Sequence, residues 1–112
     1  MSLTFVQLAG FLNEWKHFRL TDDDLRALEG RLMENPEAGA VMAATGGLRK
    51  VRFAPPSRHS GKSGAYRVGY VYFPVARAIF LLAIFAKNDK ANLSSAERTA
   101  YQRVIQLLKN KI

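Results

Sequence analysis

The sequence predicts a small α+β domain of order (β)ααβββα, built on an antiparallel sheet of three to four strands with helices packed on one face. Three observations predict it. Apolar residues recur at three- and four-residue spacing near both ends of the chain, as on amphipathic helices. Two runs rich in β-branched and aromatic residues, 48–53 and 66–73, flank a segment rich in Pro, Gly and Ser, as in a hairpin. An unbroken apolar run, 79–85, then has the length of a strand rather than a helix. At 112 residues, 48% of them hydrophobic, the chain suffices for one core, and residues 1–112 read as a single domain.

Each element has a local cause. Residues 3–8 are a short β-like run, readable equally as a first strand or as the frayed beginning of the first helix. From 9 to 18, Phe11, Leu12, Trp15 and Phe18 mark one face of a helix. Thr21 is a good N-cap for a second, and Asp22, Asp23 and Asp24 fill its first turn, where the helix dipole favours negative charge. Leu25, Leu28, Leu32 and Met33 form its stripe, and Asn35-Pro36 ends it, because proline disfavours helix at the preceding residue. Residues 38–47 are small and Gly-rich, with a turn at Thr45-Gly46-Gly47. Residues 48–53 alternate, placing Leu48, Lys50 and Arg52 on one side and Arg49, Val51 and Phe53 on the other. Residues 55–64 are an exposed hairpin loop, and Pro74 ends the Tyr- and Val-rich strand that follows it. The run 79–85, lacking alternation, suits a central strand covered on both faces. Ser94 or Ser95 caps a last helix with the stripe Tyr101, Val104, Ile105 and Leu108. The helical stripes suffice for one side of the sheet, leaving the other to solvent or a ligand, with Lys50 and Arg52 directed there.

Composition narrows the functions. The absence of Cys excludes disulfides, thiolate metal sites and a cysteine nucleophile, and two His do not make a metal cluster. The N-terminal residues lack the pattern of a secretory signal, and the longest apolar run is about half of the ~20 residues that a membrane span needs, so a cytoplasmic protein without membrane association is expected. The formal net charge is +8. Residues 1–37 carry four basic and seven acidic side chains, a net of −3, and residues 89–112 carry five and two, a net of +3. Between Ala38 and Asn88 there is no carboxylate and there are eight cations: Arg49, Lys50, Arg52, Arg58, Lys62, Arg67, Arg77 and Lys87. Such an uncompensated block is a footprint for polyanions, nucleic acid first.

Closing the hairpin brings Arg67 near Arg52 or Lys50 on one face, and Lys87 at the end of the third strand joins them. Cations converging in this way repel one another unless an anion lies between them, and a phosphodiester suits that space. They also suit RNA cleavage, in which a 2′-hydroxyl attacks the adjacent phosphate. Lys50 would take the proton, its neutral form favoured by the like charges of Arg52 and Arg67, and the arginines would stabilise the phosphorane. His59 in the loop is the conventional alternative base, whereas His17 reads as a packing or surface residue. Tyr66, Tyr70 and Tyr72 fall on the parity opposite Arg67 and read first as core or sheet packing, with base stacking second. A nucleotide-triphosphate loop is excluded, since Pro56 stands where Gly61-Lys62-Ser63 would need a preceding glycine. The carboxylates do not cluster for a metal, and no cofactor is expected.

Asn35-Pro36-x-x-Gly39, Thr45-Gly46-Gly47-Leu48-Arg49-Lys50-Val51-Arg52-Phe53, Gly61-Lys62-x-Gly64-x-Tyr66-Arg67-Val68-x-Tyr70 and Phe85-Ala86-Lys87-Asn88-x-x-x-Asn92-Leu93-Ser94 together resemble the RelE/HigB toxins of bacterial type II toxin–antitoxin systems, the HigB-like branch most closely. The blocks span nearly the whole chain in the family's order. The resemblance implies a compact α+β fold and a metal-independent mRNA interferase that cuts mRNA in the A site of the 30S ribosomal subunit, against its rRNA. It also implies a cognate antitoxin protein. By position, Lys50 and Arg52 match the family's basic pair, Arg67 its phosphate-binding arginine and Lys87 the basic residue ending the last strand. Arg49, Arg58, His59, Lys62 and Lys90 are expected along the RNA path. Residues 88–93 lack the aromatic that some relatives stack on a base, and Lys90 supplies charge there instead. Ala44 stands where relatives often have Gly. The alternatives are a ParE-like toxin of the same fold that inhibits DNA gyrase, and an inactive nucleic-acid or antitoxin-binding module.

Overall fold

The computed structural model describes residues 2–58, 65–86 and 92–112. In chain order the elements are β1 (Thr4–Gln7), α1 (Ala9–His17), α2 (Asp22–Glu34), β2 (Ala40–Val41), β3 (Arg49–Phe53), β4 (Tyr66–Phe73), β5 (Ala78–Ala86) and α3 (Ser95–Lys111). They build one five-stranded sheet of order β1-β5-β4-β3-β2. The α+β class and the central hairpin agree with the sequence reading. The strand count and the purely antiparallel pattern do not. Residues 4–7 form a strand after all, and it runs parallel to β5, with Phe5 opposite Ile79. A two-residue β2 borders β3 on the other edge, too short to leave a periodic signal.

The expectation that helices cover one face is corrected. Phe11 and Trp15 of α1 and Leu28 and Leu32 of α2 pack with Val51, Phe53, Val68, Tyr70, Ile79 and Leu81 on one side of the sheet. On the other side α3 packs Ile105, with Tyr101, Val104 and Leu108, against Leu48, Val71, Phe73 and Leu82. The sheet is therefore apolar on both faces at its centre. β5 serves both cores, with Ile79 and Leu81 on one face and Phe80 and Leu82 on the other, and it carries a bulge. Gly69 pairs with Ala83 while Tyr70 pairs with Leu81, so Leu82 is an extra residue and the alternation resets after it. Residues 79–85 show no period of two because both faces of the strand are packed.

Helix ends form as their sequences dictate. Thr21 and Asp24 make a reciprocal capping box on α2, and Ser94 and Glu97 make another on α3. After α1, the Leu20 N–H donates to the Trp15 carbonyl and the Arg19 N–H to that of Lys16, the pattern of a Schellman turn.

The connection from α2 into the sheet is fastened by a buried phenol. The Tyr70 hydroxyl donates to the Pro36 carbonyl at 2.8 Å and accepts from the Gly39 N–H at 2.9 Å. A Cβ at Gly39 would lie 2.8 Å from the Lys50 carbonyl oxygen, so only glycine lets this segment lie against β3. The following turn is knotted by buried Thr45, whose hydroxyl donates to the Met42 carbonyl and accepts from the Leu48 N–H. Within it Ala44 holds φ 60°, in the left-handed region that disfavours a side chain.

Two outcomes follow. Tyr70→Phe strands the Gly39 N–H and Pro36 carbonyl and should lower stability by about 1–3 kcal/mol in denaturant unfolding. Ala44→Gly should raise it by roughly 0.5–1 kcal/mol, the relief of left-handed strain exceeding the added chain entropy.

Candidate nucleic-acid interface

The register of β3 on β4 decides which cations meet. Lys50 lies opposite Gly69, and Arg52 opposite Arg67. On the next strand Gly69 faces Ala83 and Arg67 faces Phe85. Two rows thus cross the sheet on its α3 side: Lys50, Gly69, Ala83, and beside it Arg52, Arg67, Phe85. Directly opposed side chains sit about 4.5–5.5 Å apart at Cβ, so Arg52 and Arg67 start from neighbouring positions on one face, where the Arg67 guanidinium donates to the Tyr66 carbonyl. The apolar cluster beneath α3 ends at Leu48, Val71 and Leu82, one step before these rows. The open ligand face of the sequence reading therefore corresponds, among the described residues, to the half of that face beyond the contacts of α3.

A Cβ at Gly69 would meet the Leu48 side chain at 3.3 Å and the Ala83 Cβ at 3.7 Å. Gly69 is buried under the Leu48 side chain, next to Ala83, and Lys50, Arg52, Arg67 and Phe85 belong to the same face. Lys50 and Arg67 are half-buried and Arg52 is exposed. Ion pairs among the described residues are Arg26 with Asp23 and Arg49 with Glu37, so neither Lys50 nor Arg67 is neutralised by a described carboxylate. Arg31 of α2 donates to the Arg52 carbonyl, closing the edge of β3 beyond the reach of β2.

Other expected RNA contacts are placed elsewhere. Arg49 points to the opposite edge, where it donates to the Gly39 carbonyl at 2.7 Å and pairs with Glu37 at 3.2 Å. Arg58 reaches the Phe18 carbonyl and the Tyr66 hydroxyl, at the end of the sheet on the α1 side. Both cations hold backbone in place and stand apart from the Lys50, Arg52 and Arg67 cluster. His59, Lys62, Lys87 and Lys90 lie outside the described residues. Tyr66, Tyr70 and Tyr72 face the α1–α2 core, as their parity required.

The entry to the hairpin loop is fixed by a residue whose reach the sequence did not disclose. Asp24 is fully buried. Its carboxylate accepts from the Thr21 N–H, from the Ser57 N–H at 3.0 Å and from the Ser57 hydroxyl at 2.6 Å. Thr21 three residues before Asp24 is a legible capping box, but Ser57, 33 residues away, is not. Aromatic contacts reinforce the same corner, with Trp15 stacked on Phe53 and Phe18 against Tyr66.

A model of the RelE toxin family, from RelE/RelB toxin–antitoxin systems, matches residues 9–111. The chain belongs to this family. Its structure is similar to the crystal structure of the isolated E. coli RelE toxin, with a TM-score of 0.53 and 19% identity over 92% of this chain and 99% of that one, a likeness of fold. The protein is thus a RelE-type toxin, and membership implies a cognate RelB-type antitoxin. No described helix is long and apolar enough to cross a membrane.

Burial alone would raise the Asp24 carboxyl, but the hydrogen bonds from Ser57 and Thr21 outweigh it and hold the group below its ordinary 3.8. A carboxyl held below its unfolded value stabilises the fold above that value and loses the contribution as pH falls through it. Asp24→Asn should accordingly cost about 1–3 kcal/mol at pH 7. In urea titrations the gap from wild type should narrow below about pH 4.

Proposed function

We propose that this toxin is a ribosome-dependent mRNA interferase whose reaction centre is the Lys50, Arg52 and Arg67 cluster. The observation that carries this reading is the juxtaposition of three cations on two neighbouring rows of one sheet face, rows whose described residues include no carboxylate. A phosphodiester resting there meets two guanidiniums that stay charged and bind non-bridging oxygens in bidentate fashion. Lys50 alone of the three can exchange a proton. In the proposed reaction the 2′-oxygen attacks phosphorus as Lys50 accepts its proton, and Arg52 and Arg67 offset the charge of the phosphorane. The bond to the 5′-oxygen breaks, leaving a 2′,3′-cyclic phosphate and, once that oxygen is protonated, a 5′-hydroxyl. Lys87 and His59 are the candidates for that last proton. No metal enters the scheme.

The reading places the protein in the cytoplasm, with mRNA in the A site of the 30S subunit and its rRNA as partners and the antitoxin as inhibitor. The resemblance to the HigB-like branch supports the dependence on the ribosome. A gyrase-directed toxin of the same fold has no use for a convergent phosphate site, which favours the interferase.

Primer extension on a reporter mRNA after induction should show new 5′ ends that require translating ribosomes. The paired substitution Lys50→Ala and Arg67→Ala should cut these ends at least about a hundredfold and relieve growth arrest. A double variant as toxic as wild type would defeat the reading.

A further inference from the structure

Beside the cationic rows lies a cleft of about 350 Å³ whose lining includes Gly10 and Glu14 of α1, Leu82, Ala83 and Phe85 of β5, and Tyr101 of α3. We infer that this cleft is a nucleobase subsite, which takes one base of the bound RNA next to the phosphate held by Arg67. The inference rests on the interferase reading and extends it to substrate selection.

Position is the first argument. Phe85 belongs to both features, being the cross-strand neighbour of Arg67 and a wall of the cleft. One strand spacing, about 4.8 Å, separates the two backbones. A nucleotide whose phosphate contacts Arg67 therefore has the cleft within reach of its own base or its neighbour's. Size is the second. The volume is at the small end of ligand pockets, which run from about 300 to 1,000 Å³, and suits a single heterocycle.

Chemistry is the third. Phe85 and Tyr101 are half-buried rings on different elements, and single-stranded RNA is read by stacking splayed bases on aromatic faces. The Tyr101 hydroxyl takes no hydrogen bond from the described residues, and burial raises its pKa, so it remains a neutral donor at physiological pH. β1 pairs only with Ala78–Leu81, so past Leu81 the outer edge of β5 has no strand partner among the described residues and offers peptide groups to a base edge.

Glu14 decides what kind of base. It is exposed and has no ion-pair partner among the described residues, in a chain where cations outnumber carboxylates 17 to 9. A carboxylate beside a phosphate-binding face repels the backbone and accepts only from N–H groups. It therefore favours bases with an exocyclic amino group, guanine best, because its two adjacent N–H donors match both carboxylate oxygens.

The test maps 5′ ends across all mRNAs in a reconstituted translation reaction containing wild type, Glu14→Gln or Phe85→Leu. Wild type should favour an amino-bearing base at one fixed position next to the cut. Glu14→Gln should relax the preference at that position by about five- to a hundredfold in the ratio of cleaved sites. Phe85→Leu should weaken it for all bases together. Glu14 is exposed, so its replacement keeps the fold and the experiment interpretable. The subsite is overturned if the base distribution of Glu14→Gln matches that of wild type, or if wild type favours uracil there, and in both cases the interferase reading survives. Absence of any ribosome-dependent cleavage by wild type overturns both.

Discussion

The register of β3 against β4 is the constraint on which the remainder of this molecule depends. In a strand pair a slip of one residue moves every side chain to the opposite face. Here the register is held from the α1–α2 side, where Val51 opposes Val68 and Phe53 opposes Tyr66 in the core. The Tyr70 phenol, tied to Pro36 and Gly39, adds a polar fix that no shifted register would satisfy. Lys50, Arg52 and Arg67 share the other face as a geometric consequence of that apolar pairing. The cationic face is thus imposed by a core on the far side of the sheet.

The same logic divides the basic block of the sequence into parts with different work. Arg49 is spent on Glu37 and the Gly39 carbonyl, and Arg58 on Phe18 and Tyr66. Arg77 sits at φ 52° in the turn between β4 and β5, at the opposite end of β4 from Arg67. Arginine suits such posts because its planar fork satisfies two acceptors while its charge remains partly solvated. Lys50, Arg52 and Arg67 lie together on the α3 side of the sheet.

α3 gives the site its borders. By covering Leu48, Val71 and Leu82 it confines the exposed sheet to the rows of Lys50 and Arg52, and with Tyr101 it contributes to a cleft at the edge of β5. β5 feeds both cores, and the bulge at Leu82 places Phe85 on the side of Arg67. A strand in strict alternation would not, because Leu81 and Phe85, four residues apart, would then share a face.

The sequence by itself determined the helices, their caps, the central hairpin and the parity that sets Lys50 and Arg52 apart from Val51 and Phe53. These are local properties, carried by periods of 3.6 and 2 and by the hydrogen-bonding habits of Thr, Ser and Pro. The four motif blocks also pointed to the RelE family. Only the tertiary structure decided that residues 4–7 pair in parallel with β5, that helices cover both faces, that Asp24 holds Ser57, and that Arg49 and Arg58 bond the Gly39 and Phe18 carbonyls. Each of these depends on a partner many positions away, and the free energy that selects such a partner comes from packing and desolvation in the assembled core, of which a linear pattern carries no record.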